Sequence, residues 1–151
     1  MPENNNKIIK HTITRLLARR EHSKSELIKK LHLREFDSEQ IDEWVEKFSQ
    51  HDIQSDTRFV EAFIRGKVNK GQGESRIRNE LRQHDIDQRV INKAFKDSAI
   101  DWFELALAVF DKRFSDGVEN EYKNKQKQQR FMLYRGFDHE QIRYVFESRE
   151  K

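Results

Sequence analysis

Side chains able to make or break covalent bonds are scarce in this chain of 151 residues. It has no cysteine, which removes a thiolate nucleophile, a thiolate metal site and a disulfide framework together. His139-Glu140-Gln141-Ile142-Arg143 begins like a zincin helix, but arginine stands where the second ligating histidine must be. The six histidines are scattered without ligand spacing, and no serine sits in a nucleophile elbow. Gly71-Gln72-Gly73 has the look of a phosphate loop, yet no strand pattern precedes it and no lysine follows the second glycine. It reads better as the end of a helix. No catalytic residue, metal site or cofactor site is expected, and the chain is read as a non-enzyme.

What remains is binding. The chain carries 30 basic and 27 acidic residues, a net charge of +3. The pI near 9.1 permits a polyanionic partner without demanding one. The basic residues fall into three groups, Lys10 to Arg20, Arg65 to Arg82 and Lys123 to Arg135. A merely solvated helical surface is the competing reading of these charges. Most aromatic residues share faces with Ile and Leu, which makes them core. Tyr122 and Tyr134 lie beside basic residues, where stacking on bases is the alternative.

The elements that must hold these groups are helices. Around Lys70-Gly71-Gln72-Gly73 the pattern is a glycine break, an amphipathic helix with Ile77 and Leu81 on one face, a turn, and a second helix to Phe95. Arg76, Arg78 and Arg82 point away from the Ile77/Leu81 stripe. Ile86-Asp87 followed by Ile91 is a hydrophobic staple around a capping aspartate. The same device occurs at Phe36-Asp37 with Ile41 and at Phe137-Asp138 with Ile142. Val45, Phe95 and Phe146 follow in step, and Leu31, Leu81 and Met132 precede in step. The period is about fifty residues, too long for tetratricopeptide repeats at about 34.

The expected fold is therefore all-α, with three tandem three-helix repeats over 1–53, 54–98 and 99–151 in an elongated, curved array. Residues 1–6 are expected to fray, with a first helix from Ile9 through Leu17 to about Glu21. Ser23 to Glu26 reads as a capping box, and Ser55-Asp56 as candidate N-caps. A helix through Phe59 and Phe63 is expected to fray at Gly66. Glu35 and Asp85 occupy the place of Gly136, where a left-handed residue is wanted. DNA-reading helix-turn-helix units are the alternative, but the second helices lack a base-reading Asn/Gln/Arg cluster. No apolar run nears the roughly 20 residues that cross a bilayer, and no signal-peptide pattern opens the chain. With no cysteine, a soluble, cytoplasmic protein is expected.

The combination of motifs resembles one family. Arg19-Arg20-Glu21-His22-Ser23-Lys24-Ser25-Glu26-Leu27, Ser55-Asp56-Thr57-Arg58-Phe59, Lys70-Gly71-Gln72-Gly73 with Arg76-Ile77-Arg78 and Glu80-Leu81, and Tyr134-Arg135-Gly136-Phe137 occur in the order found in the bacterial regulatory protein RecX family. The resemblance runs from about Ile13 to Phe146. Glu74 departs from it, standing where proline is usual, and Asp52 and Asp85 stand where glycine is common. A monomer is expected, and the resemblance implies that it binds the RecA filament on single-stranded DNA. It implies inhibition of RecA's ATPase, strand-exchange and co-protease activities, with direct DNA binding as a weaker property. A general DNA-binding module acting independently of RecA is the alternative. The candidate contacts are Arg15, Arg19, Arg20, Arg65, Lys67, Lys70, Arg76, Arg78, Arg82, Lys123, Lys125, Lys127, Arg130 and Arg135.

Overall fold

The structure, a computed structural model, describes residues 2–150, with side chains from Asn5 onward. Among the described residues there are nine α-helices and no strand. They are α1 (Pro2–Arg19), α2 (Lys24–His32), α3 (Ser38–Gln50), α4 (Asp56–Asn69), α5 (Glu74–Leu81), α6 (Gln88–Ser98), α7 (Trp102–Arg113), α8 (Tyr122–Tyr134) and α9 (His139–Arg149), with a 3-10 turn at Arg82–His84. Three helices recur three times, as the staple spacing requires.

Two expectations about helix ends fail for local reasons. The first helix is not frayed over residues 2–6 but reaches back to Pro2. Proline suits a first helical position, because its φ is already helical and its missing N–H has no partner to lose. Met1 lies outside the described residues. The fourth helix passes through Gly66 and ends at Asn69. One glycine weakens a helix by only about 1 kcal/mol, and the buried stripe Phe59, Val60 and Ile64 outweighs that.

Caps fix the remaining boundaries. The aspartates of the three staples all act as predicted. Asp37 accepts from the Gln40 N–H, Asp87 from the Arg89 N–H, and Asp138 from the Gln141 N–H. Ser23 and Glu26 form the expected reciprocal capping box. Ser55 caps α4, accepting from the Arg58 N–H at 3.1 Å. At the other ends, three helices close with paired Schellman hydrogen bonds. Phe137 N donates to Met132 O and Gly136 N to Leu133 O, and the same pair recurs at Gly71/Gln72 and at Asp52/Ile53. The left-handed residue is glycine in two of these and Asp52 (φ 59°) in the third. Glu35, Asp85 and Ala99 are also left-handed, at φ 62°, 50° and 51°.

The chain divides into two compact units, residues 1–62 with 83–94, and residues 63–82 with 95–151. The divisions fall inside α4, in the 3-10 turn and inside α6, so the middle repeat contributes to both. In the first unit α1 and α2 pack on α3. Its core is Ile9, Ile13, Leu27, Leu31, Ile41, Val45 and Phe48, with Phe36 and Trp44 against it. In the second unit α7 and α8 pack on α9 in the same way. Ala106, Phe110, Met132, Phe137, Ile142, Val145 and Phe146 form that core. Ile77 and Leu81 are fully buried, which accounts for the stripe read from α5.

Candidate partner-binding surface

In the first unit, Arg15 and Arg19 project from α1, exposed and without an ion pair among the described residues. Arg20 is different. Its guanidinium grips Glu26 through both nitrogens, at 3.1 and 2.7 Å. Glu26 also accepts from the Ser23 N–H, so Arg20 braces the capping box of α2. Burial alone would raise the Glu26 carboxyl; the hydrogen bonds from Arg20 and Ser23 outweigh it and hold the group below its ordinary range.

Beside that box lies a polar clamp that the sequence did not disclose. The buried His22 ring places Nδ1 3.0 Å from Arg20 O and Nε2 3.1 Å from Lys30 Nζ. Nδ1 must therefore carry the proton and donate, and Nε2 must accept. Ser23 Oγ accepts from the Glu26 N–H and stands 3.2 Å from His84 Nδ1, to which its hydroxyl can donate. The His84 ring in turn packs on Phe59 at 4.8 Å. Asp56 accepts from the Lys24 N–H and from Gln54 Nε2, both at 2.9 Å, tying the start of α4 to that of α2. Burial lowers the affinity of both imidazoles for a second proton.

In the second unit the middle and third basic groups meet. Gly73 and Gly136 approach backbone to backbone. Gly73 N donates to Arg135 O at 2.7 Å and Ser75 N to Gly136 O at 3.3 Å. A β-carbon on Gly73 would lie 2.5 Å from Gly136 C and O, so only glycine admits this approach. The first-turn donors of α5, which have no partner inside the helix, are thus met by the turn between α8 and α9. Arg135 adds a hydrogen bond to Lys70 O at 2.9 Å.

That packing divides the candidate cations into two kinds. Arg76 pairs with Glu80 and lies over the Tyr134 ring, 4.9 Å from its centroid. Arg78 pairs with Glu74 at 2.7 Å and lies 4.3 Å over the buried Phe95 ring. Lys67 also pairs with Glu80, whose carboxyl burial would raise but Lys67 and Arg76 together lower. Lys125 pairs with Glu150. These five residues, counting Arg135, hold the fold together with the charges read as binding groups. The expectation that Arg76, Arg78 and Arg82 all stand clear of the packing holds for Arg82, which is exposed. Arg65, Lys70, Lys123, Lys127 and Arg130 are likewise exposed, with no ion pair among the described residues.

Arg113 was missed. It ends α7, a helix whose apolar run dominates its reading, and its guanidinium lies over both Phe114 and Phe131, at 5.2 and 5.5 Å. Tyr134 and Tyr122, left open between core and surface, are both exposed, at 75% and 72%. The tyrosine hydroxyl of Tyr122 accepts from Gln126. Among the described residues no group of three metal-ligating side chains comes together. Among the same residues no helix is long and apolar enough to cross a membrane.

Comparison with known proteins bears on what such a surface meets. Three family models match in chain order: "RecX, first three-helix domain" over residues 10–48, the second over 55–94 and the third over 99–146. The regulatory protein RecX of Vibrio vulnificus is 41% identical over 136 residues, covering 90% of this chain and 89% of its own. That of Acinetobacter baylyi is 42% identical over 123 residues, covering 82% and 76%. A crystal structure of a regulatory protein RecX superposes with a TM-score of 0.83 at 20% identity, covering 97% of this chain and 75% of that one. RecX from Lactobacillus salivarius gives 0.78 at 20%, covering 97% of both.

Proposed function

Because the chain belongs to the RecX family of regulatory proteins, we propose that it binds the RecA filament on single-stranded DNA and inhibits its ATPase, strand-exchange and co-protease activities. It thereby regulates recombination, DNA repair and the SOS response. The single observation behind this reading is the run of three family domains in order, joined by about 40% identity over most of the chain. The protein acts by binding, as a cytoplasmic monomer without catalysis or cofactor. Its sequence repeats, 1–53, 54–98 and 99–151, each offer the filament one set of contacts. Several weak contacts on successive protomers then combine through effective concentration.

The contacts proposed for this role are the exposed cations without an ion pair among the described residues: Arg15 and Arg19 in the first unit, Arg65, Lys70, Arg82, Lys123, Lys127 and Arg130 in the second. The nearly balanced total charge supports a protein partner, since a surface carrying 27 acidic residues repels bare phosphate. The decisive experiment is the ATPase of the cognate RecA on single-stranded DNA, with this protein titrated well below RecA. Inhibition at a small fraction of the RecA concentration is expected. Unchanged turnover at equimolar protein refutes the reading and leaves a DNA-binding module in its place.

A further inference from the structure

The turn between second and third helices does the same work in two of the three repeats. Aligned on the staples, Gln83-His84-Asp85 and Tyr134-Arg135-Gly136 occupy equivalent places. Each turn receives the second helix of the repeat before it. In the first unit Ser23 Oγ stands 3.2 Å from His84 Nδ1, and Lys29 Nζ donates to Gln83 O at 3.1 Å. In the second unit Gly73 N donates to Arg135 O, and Arg76 lies over the Tyr134 ring. Each contact lies inside one compact unit.

The matching turn of the first repeat, Leu33-Arg34-Glu35, receives no helix among the described residues. Leu33 is 84% exposed, and Arg34 is exposed where His84 and Arg135 are half-buried. Glu35 still holds the left-handed φ, 62°, that Asp85 and Gly136 hold in the occupied turns. The other half of the contact is open as well. On α5, Glu74, Arg78 and Arg82 face Gly136 and Asp138 of the next turn. Their equivalents on α8, Lys125, Gln129 and Leu133, face no turn. They line a groove of about 400 Å³ with Ile142 and Phe146 of α9, and Leu133 is 42% exposed.

We propose that these two surfaces meet between copies of the chain, the α2–α3 turn of one docking on the α8–α9 groove of the next. A second copy is the occupant that the repeat itself specifies, because turn and groove are the two halves of a contact made twice inside the chain. Leu33 and Leu133 supply apolar surface to bury. Glu35 and Asp37 arrive at a groove that holds Arg143, exposed and without an ion pair among the described residues. The β-carbon of Glu35 excludes the close backbone approach of Gly73 and Gly136, so the contact follows the side-chain pattern of Ser23 and His84. The two surfaces differ, so each joined pair keeps one turn and one groove free, and copies add in a row. So small a contact leaves the dilute chain monomeric, and copies join where a shared partner lines them up. The inference does not depend on which partner that is.

The test is sedimentation velocity of the full chain alone, from about 10 µM to about 1 mM, the range in which a contact of a few side chains is populated. The sedimentation coefficient should rise with concentration and pass the dimer value. Leu33→Glu and Leu133→Glu should each raise the dissociation constant about ten-fold or more, the effect of one leucine left in water. An equimolar mixture of the two variants keeps one intact turn and one intact groove, so it should associate and stop at the dimer. Gln129→Trp, which fills the groove from an exposed position, should repeat the result of Leu133→Glu. These side chains are exposed, so unchanged melting temperatures are expected and are checked on each variant. A wild-type chain still monomeric at about 1 mM overturns the proposal. So does association that stops at the dimer in the wild type, or that persists in both leucine variants. A monomeric wild type whose RecA inhibition is lost in both variants also overturns it, and marks the two surfaces as contacts for another protein.

Discussion

Two glycine-to-alanine substitutions should move stability in opposite directions. At Gly73 the added β-carbon would fall 2.5 Å from Gly136 C and O and 2.8 Å from Phe137 N. Ordinary contact begins near 3.4 Å, so α5 must withdraw by about 1 Å, and backbone rather than a flexible side chain must yield. That displacement carries Gly73 N, now 2.7 Å from Arg135 O, and Ser75 N, 3.3 Å from Gly136 O, beyond hydrogen-bond range. Two backbone bonds at about 0.5–1.5 kcal/mol each, with overpacking at about 1–3 kcal/mol, give roughly 2–5 kcal/mol. Gly66 lies inside α4, exposed, with nothing within 4 Å of its β-carbon position. Alanine there should add about 0.5–1 kcal/mol, through helix propensity and a less free unfolded chain. Urea melts followed by far-UV circular dichroism measure both, provided the slope with denaturant stays constant. The Gly73→Ala/Gly136→Ala pair should cost less than the sum of its parts, because the second change breaks a contact already lost. Gly73→Ala within about 0.5 kcal/mol of the parent, or a destabilising Gly66→Ala, refutes the backbone-lock argument.

The same packing carries other expected outcomes. Glu35→Gly should stabilise, since a non-glycine residue in the left-handed region costs about 1–2 kcal/mol and Glu35 makes no ion pair among the described residues; Asp52→Gly should gain less in the same melts, because it also removes the pair with Arg58. Phe95→Ala should cost about 3–5 kcal/mol, as Phe95 is 7% exposed and carries Arg78 on its face. For His22 and His84 the folded pKa lies below the unfolded value, so the unfolded chain binds the extra protons. Stability is then full above about pH 6.5 and falls as pH drops from there toward the folded values. The urea midpoint should decline on acidification through that window, and His84→Gln should reduce the slope; a flat profile between pH 7.5 and 5.5 removes the clamp from the account. Arg82→Glu should weaken inhibition of the RecA ATPase with an unchanged melting temperature, whereas Arg78→Glu should lower the melting temperature itself.

The fold was legible because its signals are local and repeated. Each staple places an aspartate and two apolar residues at fixed offsets, and three copies identify the repeat before any contact is known. Capping chemistry was equally plain at Ser23, Asp37 and Asp138. The candidate surface was legible only as a list of cations. Whether Arg76 or Arg130 faces solvent depends on Glu80 and Tyr134 in one case and on the lack of a carboxylate in the other, and those are tertiary facts. Arg113 was hidden because its helix is dominated by apolar residues. The His22–Ser23–His84 clamp joins positions 61 residues apart, beyond the reach of any motif. The left-handed conformations at Glu35 and Asp85 were expected from their alignment with Gly136, but that of Ala99 had no such partner.

The lock at Gly73 and Gly136 also bears on the order in which the chain is completed. Arg135 reaches Lys70 across 65 residues of sequence, and the first turn of α5 depends on carbonyls from the same distant turn. During synthesis from the N-terminus, α1, α2 and α3 can bury their shared core as soon as they emerge. The backbone donors of Gly73 and Ser75 have no such early partner and must wait until α8 and the turn after it have been made. A ribosome-bound chain halted near residue 120 should therefore hold a protected first repeat and an open middle segment. The sequence repeats every fifty residues or so, but the chain does not finish folding one repeat at a time.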